Sequence, residues 1–128
     1  VPNVNTEAVV TALVAMRGEM LAPGLVAGGW SESGESPAPL WPYAELEAEP
    51  SDWDSQQFTV TETIFADTTS EGRAIADALL ALSERSYKPP TGGVDIRSHL
   101  LTSGPRRLRT YERVAFELVW SVTAIWTA

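Results

Sequence analysis

Toward the C-terminal end, apolar side chains recur at every second position: Val114, Phe116, Leu118, Trp120 and Val122. The positions between them hold Arg113, Ala115, Glu117, Val119 and Ser121. A period of two places the first set on one face of an extended chain and the second set on the other. A strand this long, spanning residues 108–123, needs paired neighbours at its edges and a cover over its apolar face.

Other segments answer both needs. Residues 94–102 read as a second strand, and "SGPRR" after them reads as a turn. The two strands are expected to form an antiparallel hairpin around Gly104-Pro105. "QQFTVTETIFA" is a third pattern, with Phe58, Val60, Ile64 and Ala66 on one face and Thr59, Thr61 and Thr63 on the other. Glu62 interrupts its apolar face. In "PYAELEAEP" a strand is bracketed by Pro42 and Pro50, which favour an edge position. Tyr43, Glu45, Glu47 and Glu49 share one of its faces; Ala44, Leu46 and Ala48 share the other. "LVAGGW", residues 25–30, reads as a short strand.

Two segments have the helical period instead. Val9, Leu13, Met16 and Met20 form one apolar stripe after an Asn5 or Thr6 cap, and Pro23-Gly24 closes that helix. "ADTTSEGRAIADALLALSER" opens with Thr68 and Glu71 in capping-box spacing and carries Ile75, Ala78, Leu79 and Leu82 on one face. Gly72 in its first turn marks a close backbone approach. The order α-β-β-β-α-β-β predicts an α+β fold: a mostly antiparallel mixed sheet with two helices packed on one face. The 128 residues suit one domain. A flexible loop is expected at about residues 31–39 and a flexible tail at about 124–128.

Several chemistries find no support. There is no cysteine, which removes disulfides and thiolate-ligated metals. No apolar run is long enough to span a bilayer, and the N-terminal stretch lacks the pattern of a signal peptide. His99 is the one histidine. It reads as a strand residue near the hairpin, since "GWSES" fails as a nucleophile elbow at its fifth position. Asp52-Trp53-Asp54 resembles the start of a calcium loop, but the sixth position is Gln57 where glycine is required. Gly92-Gly93 lacks the Lys-Ser/Thr of a phosphate loop. Glu45, Glu47 and Glu49 stand about 6.5–7 Å apart along one strand face, which overlaps the carboxylate spacing of glycosidases. No cluster of substrate-binding polar residues accompanies them. No catalytic residue, cofactor or metal is therefore assigned, and a small carbohydrate-acting enzyme using these glutamates stands as a lesser alternative.

Charge is the stronger signal. The net charge is −8, unsuited to generic nucleic-acid binding. Residues 1–96 hold fifteen acids and four bases, a net of −11, whereas residues 97–128 hold two acids and five bases, a net of +3. Arg106, Arg107 and Arg109 suit a clamp on carboxylates better than lysines would. With Glu45, Glu47, Glu49, Asp52 and Asp54 they form the candidate interface, and the natural partner is a second copy of the chain.

The same segments carry a family resemblance. A helix before a short apolar strand, "PYAELEAE" after a Pro-rich loop, a strand leading into "FADTTSEGRAIADALLALSE", and two long closing strands ending in "YERVAFELVWSVTA" resemble the tail terminator and minor tail proteins of long-tailed phages. The resemblance implies a virion protein without enzymatic activity. It implies a hexameric ring that caps the tail tube, ends its polymerisation and offers the head-docking surface. The partners would be the tail tube protein and the head-tail connector, with DNA passing through the lumen unbound. A head-tail neck adaptor of similar fold is the alternative it leaves open.

Overall fold

The computed structural model describes residues 4–34, 40–51, 56–90, 92–109 and 114–126. Among these residues two helices, α1 (Thr6–Met20) and α2 (Thr69–Leu80), and five strands follow one another in the expected order. The strands are β1 (Trp30–Glu32), β2 (Tyr43–Pro50), β3 (Gln57–Ala66), β4 (Val94–Leu108) and β5 (Val114–Trp126). They form one sheet in the spatial order β1-β2-β3-β5-β4. β1 is parallel to β2 and the other pairs are antiparallel, so the sheet is mixed. Among the described residues, no helix is long and apolar enough to cross a membrane.

Both helices cover the same sheet face. Arg17 of α1 reaches Glu62 of β3. Gly72 of α2 backs onto Phe116 of β5. Glu62 is paired with Leu118 and Ile64 with Phe116, and paired or alternate residues share a face. The core lies between these layers, built from Phe58, Val60, Ile64, Leu118, Trp120 and Val122 below and from Leu13, Met16, Ile75 and Leu79 above.

The helix starts obey their caps. The Asn5 side chain accepts the Ala8 N–H at 2.7 Å. Thr68 accepts the Glu71 N–H at 3.1 Å, while the Glu71 carboxylate takes the Asp67 N–H at 3.1 Å. Gly72 meets its expectation: an added Cβ would stand 2.8 Å from the Phe116 ring. The stripes shift slightly. Met20 is exposed and Arg17 occupies a buried place instead. Ala76 is buried where Ala78 is half-buried.

Five expectations need correction. Residues 25–29 are turn, and the strand starts only at Trp30. Gly24 and Gly29 hold positive φ and the Gly29 N–H bonds to Val26 O, which coils this apolar run before it can extend. β2 is not a full edge strand, because β1 pairs with Ala44–Leu46 and leaves only its second half bare. The hairpin does not turn at Gly104-Pro105. β4 continues through them to Leu108, with register irregularities between Leu101 and Ser103 and between Ser103 and Arg106. Gly104 has a φ of 93° and absorbs the irregularity as a bulge. Lastly, β5 runs to Trp126 with Ala124 fully buried, so the expected tail begins as strand. Ser31 and Glu32 of the expected loop also belong to a strand, while residues 35–39 lie outside the described residues.

Candidate functional site

Two arrangements stand out, one sealed in the core and one on the open sheet face. The sealed one begins at Glu62 in the middle strand. The Arg17 Nε–H donates to Glu62 Oε2 at 2.9 Å and Nη2–H to Oε1 at 2.8 Å, a two-toothed ion pair. The indole of Trp30 donates to Oε2 at 2.6 Å and that of Trp120 to Oε1 at 2.9 Å. Each carboxylate oxygen thus accepts two hydrogen bonds, which uses its lone pairs fully. Arg17, Glu62 and His99 are buried without measurable exposure.

His99 closes the network. Its Nδ1 lies 2.8 Å from Leu82 O, and a carbonyl can only accept, so Nδ1 carries the proton. Nε2, 3.1 Å from Arg17 Nη2, is then the acceptor of an Arg17 N–H. The ring stacks on Trp120 with centroids 4.0 Å apart. Burial and the Arg17 charge push its pKa down to about 4 against the pull of the Leu82 carbonyl and Glu62. For Glu62, burial pushes upward, but the Arg17 charge and the bonds from Arg17, Trp30 and Trp120 outweigh it and the pKa is lowered. The sole histidine is therefore a neutral structural group. It pairs with Val122 well inside the sheet, not near a hairpin tip. The network ties α1, β1, β3, β4 and β5 together.

Of the candidate residues of the sequence, Glu45, Glu47, Glu49 and Arg106 fall on the open face. Glu45, Glu47 and Glu49 line β2 opposite Thr63, Thr61 and Thr59 of β3. Thr63 is opposite Glu117 of β5, and Glu117 opposite Arg106 of β4. One row across the sheet thus runs Glu45, Thr63, Glu117, Arg106. At about 4.8 Å per strand step, its two ends are about 14 Å apart. Partial burial raises the Glu45 pKa. At this end of the face Trp41, Tyr43 and Phe65 pack together, Tyr43 stacked on Phe65 at 4.8 Å and Trp41 edge-on to Tyr43 at 4.9 Å.

The three arginines do not act as one group. Arg106 is bound within the chain, its Nη2 2.8 Å from Glu117 Oε1. Arg107 pairs with Phe116 and so points to the helix side of the sheet. It and Arg109, just past the end of β4, are exposed. Asp52 and Asp54 lie outside the described residues, as does Arg113. Among the described residues, no three His, Asp or Glu side chains gather as a metal site would require.

The Arg17–Glu62 pair is absent from the sequence reading, although each residue left a trace. Glu62 interrupts an apolar strand face, and Arg17 sits four residues after buried Leu13 on the helix stripe. Two opposite charges that each interrupt an apolar face are a pairing signal. No protein-family model, curated protein or solved structure matches this chain.

Proposed function

We propose that this protein is a structural subunit that assembles head-to-tail into a ring capping a phage tail tube. The observation that carries the assembly reading is the division of charge across the sheet. Three glutamates line β2 on the uncovered face. Arg107 and Arg109 stand exposed on the β4 side. Surfaces of opposite sign on opposite sides of one subunit favour a heterologous contact, which closes into a ring or continues as a filament. The order of elements and the resemblance of the quoted segments to tail terminators support the phage assignment. A sealed core whose sole histidine is held neutral fits a structural part better than an acid-base enzyme. The glutamates of β2 face threonines along a sheet, not a second carboxylate across a cleft, which weighs against glycoside hydrolysis.

The test is light scattering on the purified chain, followed by negative-stain imaging with isolated tail tubes and, separately, with isolated head connectors. Rings or decorated tube ends are expected. Binding to connectors alone would reassign the chain as a neck adaptor. A monomer at high concentration that decorates neither would end the proposal.

A further inference from the structure

The sheet has two half-bare edges, and they differ in charge and in which half is bare. On the β2 side, β1 pairs only with Ala44–Leu46. The Ala44 N–H donates to Gly29 O and Leu46 O accepts the Ser33 N–H, so both residues turn their backbone groups outward. By alternation Ala48 does the same, and among the described residues nothing bonds its outward N–H and C=O. On the β4 side, residues 83–87 cover the first half. Tyr87 bridges Ile96, the Glu84 N–H bonds to His99 O, and the Leu101 N–H bonds to Ser83 Oγ. Beyond Leu101 that cover stops. The Ala124 N–H reaches Gln56 O beside β3, and Val119 O accepts from the Thr102 hydroxyl, so odd-numbered residues of β5 face β4. Their partners Arg106 and Leu108 turn inward, which leaves the N–H and C=O of Arg107 on the open edge.

A bare edge is a template for another strand, and two copies can join their bare edges in three ways. β2 against β2 sets Glu47 opposite Glu49, and β4 against β4 sets Arg107 opposite itself. Like charges directly opposite destabilise both joins. We propose that β4 of one copy pairs with β2 of the next, Arg107 exchanging backbone hydrogen bonds with Ala48. This seam rests on the head-to-tail assembly proposed above and gives it a register. β2 is antiparallel to β3, β3 to β5 and β5 to β4, so copies in the same orientation meet antiparallel. On the open face Arg106 comes opposite Glu49, and Leu108 opposite Glu47. Pro105 meets Pro50, and neither has an N–H, which ends the ladder there. Arg106, still bound to Glu117, then stands between two acids, while Arg107 and Arg109 add positive charge to the seam. Within one copy Arg107 is level with Ala44, through Phe116 and Ile64. The next copy is therefore displaced by four residues, about 14 Å along the strands. That displacement leaves the 83–87 cover of one copy and β1 of the next at opposite ends of the seam. A ring built this way has its strands tilted from the ring axis, as in a barrel.

The chain has no cysteine, so paired substitutions report on this seam alone. Glu47→Cys/Leu108→Cys joins a directly opposed pair across it. Inside one copy Glu47 lies three strand steps from β4, about 14 Å. A disulfide needs Cα atoms within about 7 Å, so the bond must link two copies. Oxidation with glutathione disulfide, read on a non-reducing gel, is expected to give a ladder of dimers and larger species. A mixture of the two single variants is expected to stop at the dimer, and each alone to stay a monomer. Glu49→Cys/Leu108→Cys, out of register by two residues, is expected to cross-link at least about ten-fold more slowly, since diagonal neighbours stand about 7–8 Å apart. Ala48→Pro removes the outward N–H without removing a bond to β3, and is expected to weaken self-association in light scattering at least about ten-fold. A dimer from either single variant alone, equal rates in the two double variants, or parental association of Ala48→Pro would overturn the seam. Self-association without the ladder would overturn it and leave head-to-tail assembly standing. A chain that stays monomeric would overturn both. A cross-linked chain that decorates no tail tube would uphold the seam and end the tail assignment.

Discussion

Glu62 is held by four donors from three side chains, and every one of them is drawn from a different element of the fold than its own. Glu62→Gln keeps the shape but leaves the Arg17 charge buried without a counter-charge, and it turns an N–H toward other N–H donors. Breaking a buried pair in this way costs about 3–5 kcal/mol, a large part of a small domain's stability. Urea unfolding should show it as a lower midpoint with an unchanged slope. His99 sets the pH response. Its folded pKa of about 4 lies below its ordinary 6.5, so the unfolded chain binds more protons between those values. Stability from this group is complete above about pH 6.5 and is lost as pH falls toward 4. The shift corresponds to about 3 kcal/mol. Glu62, whose pKa is also lowered, adds a further loss below its ordinary carboxylate range. A denaturation series from pH 7 to 4 should show the decline. In His99→Asn the decline between pH 6.5 and 4 should flatten, on a lower baseline.

At the level of elements, the contact between α2 and β5 depends on a missing side chain. Gly72 costs α2 about 1 kcal/mol of helix propensity relative to alanine. An alanine there would meet the Phe116 ring at 2.8 Å and Val114 Cγ1 at 3.3 Å. Overpacking of this kind costs about 1–3 kcal/mol, so Gly72→Ala is expected to lower the melting temperature despite its better helix propensity. Gly104 in β4 is under a different constraint. Its φ of 93° is disfavoured for a side chain, and a Cβ would press on the Glu117 carbonyl. Gly104→Ala should disturb the β4–β5 pairing around Arg106 and Glu117. The Arg106–Glu117 pair itself, well exposed on the arginine side, contributes no more than about 1 kcal/mol.

Over the whole molecule, charge is arranged by the sheet and not by the chain's order alone. Because Arg106 is already paired with Glu117, the members of the Arg106, Arg107 and Arg109 trio left for the proposed neighbour are Arg107 and Arg109. Reversing both to glutamate should prevent self-association at low salt. Mixing that variant with Glu47→Lys/Glu49→Lys should restore a mixed assembly, with light scattering as the measure. Because screening acts over about 8–10 Å at ordinary ionic strength, both effects should shrink as salt rises. Glu45, Glu47 and Glu49 stand in register with a threonine ladder on an uncovered face, which fits a docking surface and not a cleft.

The amino-acid sequence by itself determined the element order, the two helix caps, the faces of β2, β3 and β5, and the close approach at Gly72. Each of these rests on local geometry: a period of two or 3.6, a side chain reaching its own backbone, or a residue without a Cβ. Only the tertiary structure decided that β4 runs on through Gly104-Pro105, because Gly-Pro serves a bulge as well as a turn and the pairing partner selects between them. It also decided what Glu62 means. The partners that make a buried carboxylate tolerable come from residues 17, 30 and 120, and no local pattern can say which distant donors will converge on it.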